Sequence, residues 1–328
     1  MRKSLRWYWA ALVVLSMAAL AAIAARPAVA AEEGHFDRTL TVTGPVDMDV
    51  QTGSGEISVR AGNAGSVEIH AKIKADSWLT NAASRVEAIE KNPPIQQDGN
   101  KIIIGHYDDR ELLNHISISY EIVTPGETKL HATSGSGSES VNGIAGPVES
   151  SSGSGSLHLH DIGSDVRANT GSGEVEVRNV KGSVRVSSGS GGLTATGVAG
   201  SLTASTGSGD VKLEQTAAGD VDVSTGSGEV TLDHIKGAAR VRTGSGSIHA
   251  EGEPTGPWKL HTGSGEVAVK LPPSAAFDLA AETSSGTIHS EREIAVSGDV
   301  GKHQLRGKVN GGGVLVELHT SSGSIRID

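Results

Sequence analysis

The stretch GSGEVEVRNVKGSVRVSSGSG, residues 171–191, contains one full period of a repeat. Val175 and Val177 alternate with Glu174, Glu176 and Arg178, and Val184 and Val186 alternate with Ser183, Arg185 and Ser187. An apolar residue at every second position marks a strand with one buried face. Val180 stands alone between the two strands, and a Gly-Ser-Gly tripeptide closes the unit at each end.

Outward from this unit the tripeptide recurs with its glycines at Gly135 and Gly137, Gly153 and Gly155, Gly171 and Gly173, Gly189 and Gly191, Gly207 and Gly209, Gly226 and Gly228, Gly244 and Gly246, and Gly263 and Gly265, at separations of 18 or 19 residues. Degenerate Thr-Ser-Ser-Gly copies end at Gly286 and Gly323, and an outlying full copy begins at Gly53. Apolar pairs keep their offsets: Leu157/Leu159, Leu193/Ala195, Val211/Leu213 and Val230/Leu232 on the first strand, Val166/Ala168, Leu202/Ala204, Val221/Val223 and Trp258/Leu260 on the second. Ile144, Ile162, Val180, Val198 and Ile235 form a corner row. One such unit buries too little to make a core, and stacking supplies the rest. The expected fold is therefore all-β, a single-stranded parallel β-solenoid of the β-helix kind with ~18-residue coils. The rival is an antiparallel meander closed into a barrel or sandwich. Identical residues at identical offsets favour parallel, in-register coils. Ten or eleven of them from Gly135 onward make a rod of roughly 50 Å at the usual strand spacing. The glycines are expected to be structural corners, taking positive φ, with the intervening Ser small enough to stack.

The ends depart from the period. Residues 31–126 read as a divergent β section, with Val46, Met48, Val50, Ile57 and Val59 in strand alternation. A helix is expected over about 77–91, capped by Asp76 or Ser77 and stopped by Asn92-Pro93-Pro94. Residues 127–328 read as the repeat, with a cap over about 300–328 after Gly311-Gly312-Gly313.

Ahead of this lie Arg2, Lys3 and Arg6, an apolar run from Trp7 to Ala25, and Ala28-Val29-Ala30. That is the layout of a secretory signal peptide over residues 1–30. Uncleaved, the run from 7 to 25 is also long enough to anchor the chain in a bilayer. Export to the periplasm, the outer surface or the medium is the expectation. The formal charge of −10 carries no basic nucleic-acid footprint. Without cysteine the chain has no disulfide, thiol nucleophile or cysteine-ligated metal.

The Gly-Ser-Gly-Glu-Val-x-Val units, the Thr124-Pro125 and Leu271-Pro272 phrases before a new coil, and the Thr-Ser-Ser-Gly-x-Ile endings resemble a bacterial family of β-strand-repeat domains of unknown function, called "putative adhesins". The resemblance covers residues 36–328 and implies the repeat fold and an adhesin-like role, and it brings no catalytic residues.

The search for chemistry is short. No phosphate-cradling Gly-x-Gly-x-x-Gly or Gly-x-x-x-x-Gly-Lys and no Gly-x-Ser-x-Gly elbow is present. The position after each tripeptide is acidic only in some coils (Glu174, Asp210, Glu229, Glu266), too few oxygens for calcium. His158 and His160 share a strand face, and Glu176 on the next coil is the one neighbour able to complete a zinc site with them. The bland reading is an exposed pair on a polar face. Glu174, Glu176, Asp210, Glu229 and Glu266 together suggest an acidic stripe of the sort that cleaves polysaccharides, but a sugar platform of aromatics is missing, and Trp258 falls at an inward offset. The sequence thus points to a non-enzymatic exported module, without cofactor, that binds an envelope or surface protein or glycan. A polysaccharide-binding or polysaccharide-cleaving protein, and a membrane-tethered envelope sensor, are the alternatives.

Overall fold

A computed structural model describes residues 32–76, 79–107, 113–296 and 301–328. The signal-peptide reading and Ser77 lie outside the described residues.

The strands pair in parallel, one coil on the next. Val148–Ser152, Val166–Thr170, Val184–Ser188 and Leu202–Thr206 form part of one sheet, with Val148, Val166, Val184 and Leu202 in one row. Leu157–Ile162, Val175–Val180, Leu193–Val198 and Val211–Gln215 form part of the other, with Leu157, Val175, Leu193 and Val211 in register. Parallel ladders of consecutive coils are a solenoid and exclude the antiparallel meander. Both apolar rows and the corner row Ile144, Ile162, Val180, Val198 and Ile235 point inward and are buried. The corner row has one polar member: the register shifts after Ala195 so that Gln215 faces Val198. The Gln215 amide bonds the carbonyls of Gly200 and Gly219, at 3.1 Å each, so the buried group is satisfied.

The Gly-Ser-Gly corners are made differently from the expectation. Of their glycines only Gly265 has a positive φ (149°). Space is the actual constraint. A Cβ on Gly155 would sit 2.0 Å from the carbonyl oxygen of Gly137, and one on Gly173 would sit 2.1 Å from that of Gly155. The same contact recurs further along the rod, where a Cβ on Gly228 would meet the Gly209 carbonyl oxygen at 2.2 Å and one on Gly246 would meet that of Gly228 at 2.0 Å. Backbone stacks directly on backbone there, and only glycine permits the approach. Gly228 and Gly246 are thus corners of close approach and not the left-handed turns expected of them. The left-handed positions lie at the opposite corner, at Gly143, Asp161, Asn179, Gly197 and His234, with φ of 55–75°. Asp and Asn tolerate that conformation better than most residues, and Asn179 donates to Asp161 Oδ1 at 2.9 Å across the coils.

The residue before each tripeptide supplies a buried hydroxyl that ties coil to coil. Thr170 Oγ1 donates to the carbonyl of Gly155 (2.9 Å) and accepts from the N–H of Gly173 (3.2 Å). Ser188 does the same with Gly173 and Gly191, and Thr206 with Gly191 and Gly209. Further on, Thr262 Oγ1 donates to the carbonyl of Gly246 at 2.8 Å. The relay satisfies corner backbone groups that neighbouring glycines cannot reach.

The ends share a topology that the regular middle lacks. At the N-terminal end the chain runs through β1 (Glu33–Thr41), β2 (Val46–Thr52), β3 (Ile57–Gly62), β4 (Ser66–Ala75), α1 (Ala82–Lys91), β5 (Ile95–Asp98), β6 (Lys101–Ile104), β7 (Ile116–Pro125), β8 (Thr128–Ser134) and β9 (Glu139–Asn142). The coil β2–β3 lies between β6–β7 and β8–β9, parallel to both. The first coil in sequence is therefore second in space. Antiparallel β1, β4 and β5 cover it further out. The helix begins at Ala82, later than expected, after Asn81 in the left-handed conformation rather than after Asp76 or Ser77. The carbonyl of Asp76 instead receives the N–H of Leu79 in a turn, and Val86 and Ile89 are the buried helical residues.

The C-terminal end repeats the device. Val314–Ser322 and Ile325–Ile327 insert between the coil at 258–270 and that at 277–290, parallel to each. The expected cap over 300–328 is thus divided: 314–327 is an inner coil, and Gln304–Val309, antiparallel to Phe277–Ser285, is the cover. Chain order along the rod cannot be inferred from periodicity, because each coil offers the same edges to any other.

Candidate functional site

Strand alternation places polar side chains outward in rows, one member per coil. On one sheet a row runs through His158, Glu176, Thr194, Lys212, Thr231 and His249. On the other, Glu149, Arg167, Arg185, Thr203, Asp222 and Arg240 follow one another. Opposite charges meet between coils: Arg240 with Asp222 (3.8 Å), Lys259 with Glu317 (3.2 Å) and Lys270 with Glu251 (3.0 Å). Each exposed pair contributes little alone; together they leave the faces polar, with Arg167 and Arg185 adjacent as like charges. Val296 and Leu315 are the exposed large hydrophobics among the described residues.

The candidate zinc residues come together only in part. His158 Nδ1 lies 3.2 Å from Glu176 Oε2, and Arg178 pairs with the other Glu176 oxygen. His160 stands opposite Arg178 on one side and Asn142 on the other. Partial burial pushes the Glu176 carboxyl up, but the His158 hydrogen bond and the Arg178 and His160 charges outweigh it and hold it below the usual carboxylate range. Arg178 thus takes the place in which a cation would need ligands. Among the described residues no group of three or more His, Asp or Glu is arranged to hold a metal ion.

The acidic stripe is discontinuous. Glu174, Asp210, Glu229 and Glu266 stand at equivalent positions ahead of their strands, with Gly192 and Ser247 between. Glu176 belongs to the neighbouring row, facing His158 and Thr194. Asp210 Oδ1 accepts from the Glu229 backbone N–H at 2.8 Å, so this carboxylate serves its neighbour's backbone. Glu174, Glu176, Asp210 and Glu229 border an open groove of about 610 Å³ with Arg178 and Lys212. A second groove, about 790 Å³, follows the other sheet past Asp49, His131, Glu149, Arg167 and Arg185. Trp258 is fully buried, its Nε1 donating to the carbonyl of Gly237 at 3.0 Å. It offers no ring to a sugar.

One ionisable group escaped the sequence reading. Glu139 stands four residues after Gly135, the offset held by Leu157 and Val175 in later coils, and it is fully buried. The signal lies in the register, which puts a carboxyl where the following coils have an apolar side chain. The Ser150 hydroxyl donates to Glu139 Oε2, and Oε1 has no partner. Burial pushes its carboxyl up to about 7, the Ser150 hydroxyl and the Ser134 and Ser151 backbones partly opposing the shift.

No curated protein matches the chain. Solved structures that do match include a "putative cell adhesion protein" from Clostridium sporogenes, at 12% identity over 90% of this chain and 99% of that one, with a TM-score of 0.22. They also include a "putative adhesin" from Bacteroides fragilis (12% identity, 90% and 97% covered, TM-score 0.29) and another from Parabacteroides distasonis (10%, 90% and 97%, TM-score 0.31). The family model described as Toastrack DUF4097 matches residues 38–328. With nearly all of the repeat and both of its ends inside that match, the chain belongs to the Toastrack DUF4097 family.

Proposed function

We propose that this protein is an exported, non-enzymatic, adhesin-like module that binds an envelope or surface glycan or protein through the outer faces of its two sheets. One observation carries the reading: long polar rows in which opposite charges pair from coil to coil, as at Arg240–Asp222 and Lys259–Glu317, and in which carboxylates of the open groove are held by neighbours, Glu176 by Arg178 and Asp210 by the Glu229 backbone. General acid–base chemistry needs two such groups free within reach of one substrate. A broad polar surface suits many weak contacts repeated along a ligand. Export rests on the basic, apolar and Ala-x-Ala order of residues 1–30.

The test is a binding screen of residues 31–328 against envelope glycans and cell-envelope fractions, with and without calcium. Saturable binding to one component is expected, independent of calcium. Turnover of a sugar would overturn the non-enzymatic reading, and failure to bind any component would overturn the binding one. Mass spectrometry of the N-terminus in the native host tests export: a start at residue 31 or 32 is expected, whereas an intact 1–30 would make the rod a membrane-tethered one.

A further inference from the structure

Glu139 lies where two parts of the molecule meet. Its strand β9 pairs on one side with β3 of the N-terminal section, Glu139 facing Ile57, and on the other with Leu157–Ile162 of the repeat, Glu139 facing Leu157. The corner Gly135-Ser136-Gly137 precedes it by one residue and rests on the N-terminal coil, where Ser134 Oγ accepts from Gly137 N–H (2.7 Å) and donates to the Gly55 carbonyl (3.4 Å). A carboxyl thus sits beneath the corner that joins section to repeat. An apolar side chain fills the equivalent place at Leu157, Val175, Leu193, Val211 and Val230.

Among the described residues no charged side chain faces it. The inward residues around it are Ile57 of β3 and Leu157 in the adjoining coils, Leu130, Ala132 and Ser134 of β8, and Val148, Ser150 and Ser152 of Val148–Ser152. Tyr120 of β7 lies beyond Ile57 in the same row, and burial, with Tyr107 adding to it, pushes its hydroxyl up so that it stays neutral. Arg60, Glu121 and His158 of the neighbouring strands point outward. An ionised carboxylate in such a place needs water or a counter-charge, and the structure supplies neutral donors only, the Ser150 hydroxyl on Oε2 and the Ser134 and Ser151 backbones, with Oε1 in no well-formed hydrogen bond.

We infer that Glu139 is a proton-operated latch: protonated, it stays inside against Ser150 and the corner is closed; ionised, it draws water in and the corner between the N-terminal section and the repeat opens. Ser150 suits both states, since its hydroxyl donates to a carboxylate and accepts from a carboxylic acid. The direction follows from linkage. The folded form holds the proton to about pH 7, whereas the free carboxyl releases it near 4.5. The latch's contribution is therefore complete below pH 4.5 and is lost as the pH rises through about 7. An exported protein meets ambient pH directly, so the latch would report it.

Hydrogen exchange of the full chain at pH 5.5 and pH 8.0, corrected for intrinsic rates, tests this with the wild type, Glu139→Gln and Glu139→Leu. In the wild type the amides of residues 135–141 are expected to exchange at least about tenfold faster at the higher pH, and the thermal midpoint to fall over the same range. Glu139→Gln keeps an acceptor for Ser150 without titrating, and Glu139→Leu matches Ile57 and Leu157, so both should lose the difference. The surface histidines are common to all three proteins and cancel in the comparison. Equal pH responses in wild type and both variants would overturn the latch, as would a wild-type response that leaves residues 135–141 unchanged.

Discussion

The two ends of the rod use the same topology and different chemistry. At the N-terminal end the cover is apolar: Val86 and Ile89 of α1 are buried, and Phe36 of β1 meets Tyr120 of β7 edge to face at 6.4 Å. At the C-terminal end Val309 is buried as well, and polar side chains add ties. Arg292 donates to the carbonyls of Leu271, Pro272 and Asp328, and Asn310 to those of Pro273 and Ala275. A sheet edge has to be closed against further pairing, and these ends weight packing and hydrogen bonding to carbonyls differently. The N-terminal end is expected to be the more resistant, because buried aliphatic groups contribute more than half-buried or exposed polar ties.

That contrast can be broken by truncating one residue at each end. Ile89→Ala leaves a cavity in the N-terminal cover and is expected to cost about 2–5 kcal/mol of unfolding free energy in denaturant titrations. Arg292→Ala removes three carbonyl partners of a half-buried guanidinium and is expected to cost less, about 1.5–3 kcal/mol. It should accelerate hydrogen exchange in 314–327 before 46–62. Equal costs, or exchange that rises first at the opposite end, would remove the distinction.

A smaller effect distinguishes the ends by pH. His261 and His319 stack in adjacent coils, centroids 4.5 Å apart and planes 5° from parallel. Partial desolvation, with His319 and Arg242 adding to it, holds His261 below the usual imidazole range, while Glu317 opposes. A depressed folded pKa means that this stability is present at neutral pH and is lost as the solution is acidified below about 6.5, the usual imidazole value. His261→Gln is expected to flatten the acid side of the thermal-midpoint profile slightly. The sign is opposite to that of Glu139, so acidification tightens the corner at one end while loosening the stack at the other.

The architecture was legible because it repeats. Val175, Val177, Val184 and Val186 state the strand pairing once, and the same offsets restate it in coil after coil. The reason for the corner glycines was less legible: positive φ and close backbone approach both select glycine, and only coordinates show Gly155 against the Gly137 carbonyl or Gly246 against that of Gly228. The hydroxyl relay was visible as an unbroken run of Ser or Thr before each tripeptide, from Ser134 to Thr262, yet a Ser/Thr in a polar repeat draws no notice until it is found buried. The insertions at the ends left no local signature, since β2 has the same alternation whichever coil it pairs with. For the site, the sequence grouped Glu174 with Glu176 by proximity in the chain, whereas alternation and register put them in separate rows.

Both terminal coils are enclosed by neighbours, and this limits how such a rod can change length. Removing 314–327 would strip a partner from each of two coils, and a unit appended beyond it would have no free edge to meet. In the middle, by contrast, each coil touches only the one before and the one after. An added or deleted 18-residue unit there shifts the ends apart or together without altering either, so evolution of reach in this protein is confined to duplication and loss among the central repeats.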